Sequence, residues 1–93
     1  MTPLADNERP IILRGVRTHF DKVRNMWVLL APERTLQLDD VGRAILEEVD
    51  GESSFGEIVD RLAVKFNAPR ERIAEDARTY LGGLIARRMV EAR

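Results

Sequence analysis

The run Val28-Leu29-Leu30-Ala31-Pro32-Glu33-Arg34-Thr35-Leu36-Gln37-Leu38-Asp39-Asp40 constrains the fold more than any other part of the chain. Pro32 holds its own φ near roughly −65° and drives Ala31 toward extended backbone, so a strand entering from Val28 stops there. Beyond the turn, Leu36 and Leu38 alternate with Thr35 and Gln37, the period of a strand with one buried face. Asp39 or Asp40 then supplies a carboxylate for the free N–H groups at a helix start. Two short strands, a tight turn and a helix entry are thus written into one stretch. If Thr35–Leu38 forms a sheet edge, its unpaired backbone groups are a template for a partner chain.

The flanking sequence extends this pattern on both sides. Residues 1–10 are polar and unpatterned, with Pro3 and Pro10, and read as a flexible N-terminal tail; an ordered domain is expected over 11–93. Gly15 marks a bend. Val16, Thr18 and Phe20 then alternate with Arg17, His19 and Asp21 as a half-exposed strand. Lys22–Asn25 is the connection, with Asn25 suited to a left-handed conformation. Met26–Ala31 is an apolar run too short for a helix, and becomes the central strand of an antiparallel meander.

Three helices are expected to cover that sheet. The first runs from about Asp40 to Val49, with Gly51 as its C-cap. The second opens on Ser54-Phe55-Gly56-Glu57, a capping box, and stops at Asn67. Pro69 suits the start of the third, whose apolar side holds Ile73, Ala77, Tyr80, Leu81, Leu84 and Ile85. Gly82-Gly83 lies inside it, at a loss of about 2 kcal/mol of helix propensity relative to alanine. Met89-Val90 is a last extended piece. The fold class is α+β: a small three-stranded antiparallel sheet followed by a three-helix bundle, winged helix-turn-helix-like.

Composition removes several functions. The chain has 93 residues, no cysteine and one histidine, so thiolate metal sites and His clusters are out of reach. No enzyme motif is present: no Gly-rich phosphate loop, no Gly-x-Ser-x-Gly, no His-Glu-x-x-His. His19 shares a strand face with Arg17 and Asp21 and reads as a solvated residue. Glu33, Asp39 and Asp40 read as turn and cap residues before they read as general acids. No catalytic residue, cofactor or metal is expected. No apolar run approaches the roughly 20 residues of a membrane span and no signal sequence is apparent, so the expected compartment is the cytoplasm, with no membrane partner.

The helix-turn-helix raises DNA binding as a rival, with Arg70, Arg72 and Arg78 on the third helix. Glu71, Glu75 and Asp76 interleave with them, net charge is −1 and the pI is about 5.8. The positive field that dominates nucleic-acid affinity is missing. Peptide recognition remains. Ile73, Ala77 and Tyr80 fall on one helical face, with the small Ala77 between larger neighbours and Arg72 and Asp76 as a charged rim. A groove between that face and the strand edge would offer backbone hydrogen bonds and side-chain pockets together. Some of these apolar residues must also fill the core.

Leu29-Leu30-Ala31-Pro32-Glu33-Arg34, Leu36-x-Leu38, Ile45-Leu46 and Asp50-Gly51 form a series that resembles the PqqD family. Glu57-Ile58-Val59, Leu62-Ala63, Pro69, Asp76 and Leu81-x-x-Leu84 continue it, so the resemblance spans roughly Ile11 to Val90. It implies a non-catalytic peptide chaperone of pyrroloquinoline quinone biosynthesis. Such a chaperone binds the ribosomally made precursor PqqA and presents it to the radical SAM enzyme PqqE, which cross-links a glutamate and a tyrosine of the peptide. A recognition domain of another peptide-modification pathway is the related alternative. By domain type, the resemblance implies a peptide added beside Arg34, Thr35, Leu36, Gln37 and Leu38 and against Ile73, Asp76, Ala77 and Tyr80. It also leaves room for a homodimer with exchanged elements.

Overall fold

A computed structural model describes residues 4–93. The elements in chain order are β1 (Pro10–Ile12), β2 (Arg17–Asp21), β3 (Met26–Ala31), β4 (Arg34–Gln37), α1 (Asp40–Glu47), α2 (Phe55–Phe66), α3 (Arg70–Ala86) and β5 (Val90–Ala92). The result is a mixed α+β domain with the expected meander in the order β2-β3-β4 and three helices. Asn25 turns the β2–β3 hairpin at φ 57°, as its side chain favours. At the β3–β4 turn neither Pro32 nor Glu33 has a positive φ, since the pyrrolidine ring forbids the mirror-image turns.

One sheet was missed. β1 pairs antiparallel with β5, joining Pro10 to Ala92 and Ile12 to Val90. Reciprocal backbone bonds between Arg9 and Arg93, at 2.7 and 3.0 Å, extend that ladder. A three-residue strand paired with the far end of the chain has too little local pattern to be seen.

The flexible-tail expectation for residues 1–10 needs correction from Leu4 onward; Met1–Pro3 lie outside the described residues. Leu4 is buried in the core. The Asp6 and Glu8 carbonyls accept the N–H groups of Gly56 (2.9 Å) and Phe55 (2.7 Å), donors that the first turn of a helix leaves unpaired. The Asp6 carboxylate reaches Arg70 and Arg78, both at 3.3 Å, and Arg78 Nε donates to the Leu4 carbonyl at 2.8 Å. Polar composition suggested freedom, but these side chains have partners elsewhere in the fold.

Helix ends follow local chemistry. Asp39 is the N-cap of α1 and accepts the Gly42 N–H at 2.7 Å. That helix stops at Glu47, short of Val49: Glu48 and Val49 donate to Ile45 and Leu46 three residues back, a tightened last turn. Gly51, at φ 81°, serves the following loop and not the helix end. There Asp50 accepts the Glu52 and Ser53 N–H groups, and those bonds hold its carboxyl at about 2. Ser54 and Glu57 complete the capping box of α2, and Asn67 ends it in the left-handed region. Pro69 is the N-cap residue of α3, which runs unbroken through Gly82-Gly83. It closes with the Met89 N–H on the Leu84 carbonyl and the Arg88 N–H on that of Ile85, the paired bonds of a Schellman end. The core is built from Leu29 and Leu38 of the meander, Phe55, Ile58, Val59 and Leu62 of α2, and Leu81 and Leu84 of α3.

Candidate functional site

β4 is the outer strand of its sheet, with β3 on one side and no strand of the described residues on the other. Its register joins Leu29 to Leu36 and Val28 to Gln37, and the Leu38 N–H donates to the Trp27 carbonyl at 2.9 Å. Antiparallel strands alternate bonded and non-bonded pairs, so Arg34, Leu36 and Leu38 spend their backbone groups on β3. Thr35 and Gln37 turn theirs outward. Both residues are exposed, Leu36 is half-buried and Leu38 is buried toward the helices. The edge therefore offers the N–H and C=O groups of two residues to an incoming strand.

The start of α1 and one face of α3 flank the end of this edge. Gln37, Leu38, Asp39 and Tyr80, with Met26, line an open cleft of about 610 Å³. A second cleft of about 400 Å³, almost wholly apolar, has Ala77 on its floor and Ile73, Val41 and Phe66 on its walls, with Asp76 on the rim. Ala77 is buried, Ile73 and Tyr80 are half-buried and Asp76 is exposed. The small side chain of Ala77 leaves space that its bulkier neighbours enclose. Val41 and Phe66 are apolar yet 51% and 42% exposed, an exposure that a bound apolar side chain would relieve.

Tyr80 is held by a feature absent from the sequence reading. Gly42 faces it: a Cβ there would lie 2.7 Å from the Tyr80 Oη and 2.8 Å from Cζ. Only a glycine lets the ring lie so close to α1. A lone glycine inside a helix is the available signal of such an approach. Burial, and then the negative Asp39 nearby, raise the Tyr80 hydroxyl above its ordinary value of 10, so it is a neutral hydrogen-bonding group near pH 7.

The structure thus gathers Gln37 and Leu38 with Tyr80, and Ile73, Asp76 and Ala77 with one another. Arg34 stands apart, lining a different cleft with Arg87 and Arg88. Val41, Met26 and Phe66 join the site unpredicted, because their part in it depends on how distant elements pack. Among the described residues no three His, Cys, Asp or Glu side chains converge as metal ligands, and no helix is long and apolar enough to cross a membrane.

This architecture is shared with known proteins. The family model of coenzyme PQQ synthesis protein D (PqqD) matches residues 26–90. A protein of Rhizobium meliloti named PqqA binding protein is 50% identical over 80 residues, covering 86% of this chain and 82% of its own length. The solution NMR structure of the PqqD truncation of Methylobacterium extorquens PqqCD is described as a functional, stand-alone RiPP recognition element. It is 41% identical, with a TM-score of 0.80 over 95% of this chain and 94% of that one. The crystal structure of PqqD from Xanthomonas campestris is 34% identical, with a TM-score of 0.59 over 92% of this chain and 96% of its own. By the family model and by these relatives, the chain belongs to the PqqD family.

Proposed function

We propose that this protein binds the PqqA precursor peptide as a strand added to β4 and presents it to the radical SAM enzyme PqqE in pyrroloquinoline quinone biosynthesis. The observation that carries this reading is the free edge at Thr35 and Gln37, running into the cleft that Gln37 and Leu38 share with Tyr80, on the helix whose Ile73 and Ala77 line the apolar cleft. Backbone pairing is tolerant of sequence, and the apolar clefts add anchors for one or two side chains. The names of its relatives supply the peptide: PqqA for the Rhizobium protein, a RiPP recognition role for the Methylobacterium one.

The recognition unit is residues 11–93, clasped by the segment from Leu4 to Pro10. The meander beside α2 and α3 is winged-helix-like, but the surface is used for peptide and not for nucleic acid. Arg70 and Arg78, which a DNA-reading helix would need free, are both paired to Asp6, and Arg70 also to Asp60 at 2.6 Å. The protein performs no chemistry itself; it acts in the cytoplasm, as a monomer or as a homodimer. Ordering a flexible peptide offsets about 2–5 kcal/mol of the gross interaction, which keeps binding reversible, as a carrier requires.

The test is calorimetric titration of the PqqA peptide into the wild-type protein and the Asp76→Ala/Tyr80→Ala variant, each checked for folding by circular dichroism. Loss of a half-buried aromatic anchor should weaken binding by about ten-fold or more. A folded variant with unchanged affinity would remove the α3 face from the site.

A further inference from the structure

At the opposite end of β4 from Tyr80, four arginines line one open cleft of about 710 Å³: Arg14, Arg34 at the start of β4, and Arg87 and Arg88 at the end of α3. Glu33 is the one carboxylate among the lining residues. All four arginines are exposed. Among the described residues, the ion pairs fall on six other arginines and on Lys65, and none on these four. Of the four, only Arg87 has a side-chain hydrogen bond among the described residues, to the Gly83 carbonyl of its own helix at 3.0 Å. A chain of net charge −1 thus concentrates unpaired positive charge at one spot, where the like charges repel one another until an anion arrives.

Arg88 adds an independent sign. It occupies the left-handed position after the C-cap of α3, at φ 58°, where glycine is the usual residue. An arginine held there carries strain on the order of 1 kcal/mol that a glycine would not.

We infer that this cleft is a carboxylate-binding subsite for an acidic segment of the peptide docked on β4, an inference that rests on the peptide-binding reading above. The placement decides the partner. A strand paired outside Thr35 and Gln37 advances about 3.3 Å per residue, so within one or two residues it passes Arg34 and enters the cleft. Guanidinium groups hold carboxylates through paired N–H donors, which fixes orientation as well as affinity. Leu13, Val16, Ala31, Pro32 and Met89 line the rest of the cleft, beside the arginines. With the Tyr80 cleft at one end and arginines at the other, β4 has two distinguishable ends, and a peptide carrying an acidic flank on only one side docks in one direction.

Two peptides test this: synthetic PqqA, and PqqA with every Asp and Glu replaced by Asn and Gln. Each is titrated against wild type, Arg34→Gln/Arg87→Gln and Arg88→Gly. In about 50 mM salt both variants should bind the acidic peptide about ten-fold more weakly than wild type, and the gap should shrink near 0.5 M salt. The amide analogue should bind all three proteins alike. Arg88→Gly should fold at least as stably as wild type, so its loss of affinity cannot come from unfolding. Equal binding of the acidic peptide by wild type and Arg88→Gly, with Thr35 and Gln37 amide signals still shifting, would overturn the subsite and leave strand addition intact. An acidic patch on the maturase would then be the candidate for the cleft. Absence of any peptide binding by wild type would overturn the reading beneath it, and the subsite with it.

Discussion

The Tyr80 hydroxyl sits over Gly42, in space that a Cβ at that position would enter at 2.7 Å. This pairing places the ring between the N-cap of α1 and the end of β4, where it lines a cleft with Gln37 and Leu38. It ties a residue with no side chain to the orientation of the largest polar side chain in the site.

Gly42→Ala should therefore destabilise the protein, although alanine is the better helix former. Displacing a half-buried ring costs about 1–3 kcal/mol, against about 1 kcal/mol gained in propensity. In a Tyr80→Ala background the clash with the ring is gone and only the Asp39 Oδ1, 3.0 Å from the added Cβ, must give, so the same substitution should cost much less. Urea unfolding of the four proteins reads this difference directly. An equal effect in both backgrounds would mean that Gly42 does not seat Tyr80.

Tyr80 is the one tyrosine of the chain, so its ionisation can be followed by ultraviolet absorbance without assignment. Its midpoint should lie above 10, chiefly through burial and secondarily through Asp39. Asp39→Asn keeps the cap of α1 and should lower the midpoint only in part. Because the folded value is raised, the associated stability is fully present below 10 and is lost as pH climbs through the folded midpoint.

Gly82 is the opposite case from Gly42. A Cβ there meets nothing within 4 Å and the helix is regular at that point. Gly82→Ala should stabilise the fold by about 1 kcal/mol, raising the melting temperature by roughly 4–8 °C, with peptide affinity unchanged. The glycine pair is thus neither a packing device at position 82 nor a break in α3.

Much of the architecture was legible because it is locally encoded. Pro32, the Leu36–Leu38 alternation and the Ser54–Glu57 box each act through bonds within a few residues, and β3, β4 and α2 lie where these signals put them. The strand β1 and the anchored segment from Leu4 to Pro10 were not, because their partners, β5 and the start of α2, are far along the chain. The candidate site divides the same way. Helical spacing put Ile73, Ala77 and Tyr80 on one face. The seat of Tyr80 on Gly42, the walls from Val41 and Phe66, and the departure of Arg34 to another cleft depend on tertiary packing that no local period carries.

Strand addition on β4 has a signature in alternate residues, and amide hydrogen exchange by NMR reads it most directly. Without peptide, the Leu36 and Leu38 amides are bonded to β3 and should exchange slowly, while those of Thr35 and Gln37 face solvent and should exchange fast. With saturating PqqA peptide, Thr35 and Gln37 should become protected by about ten-fold or more, approaching their neighbours. Bound peptide with both amides still exchanging fast would contradict docking on this edge.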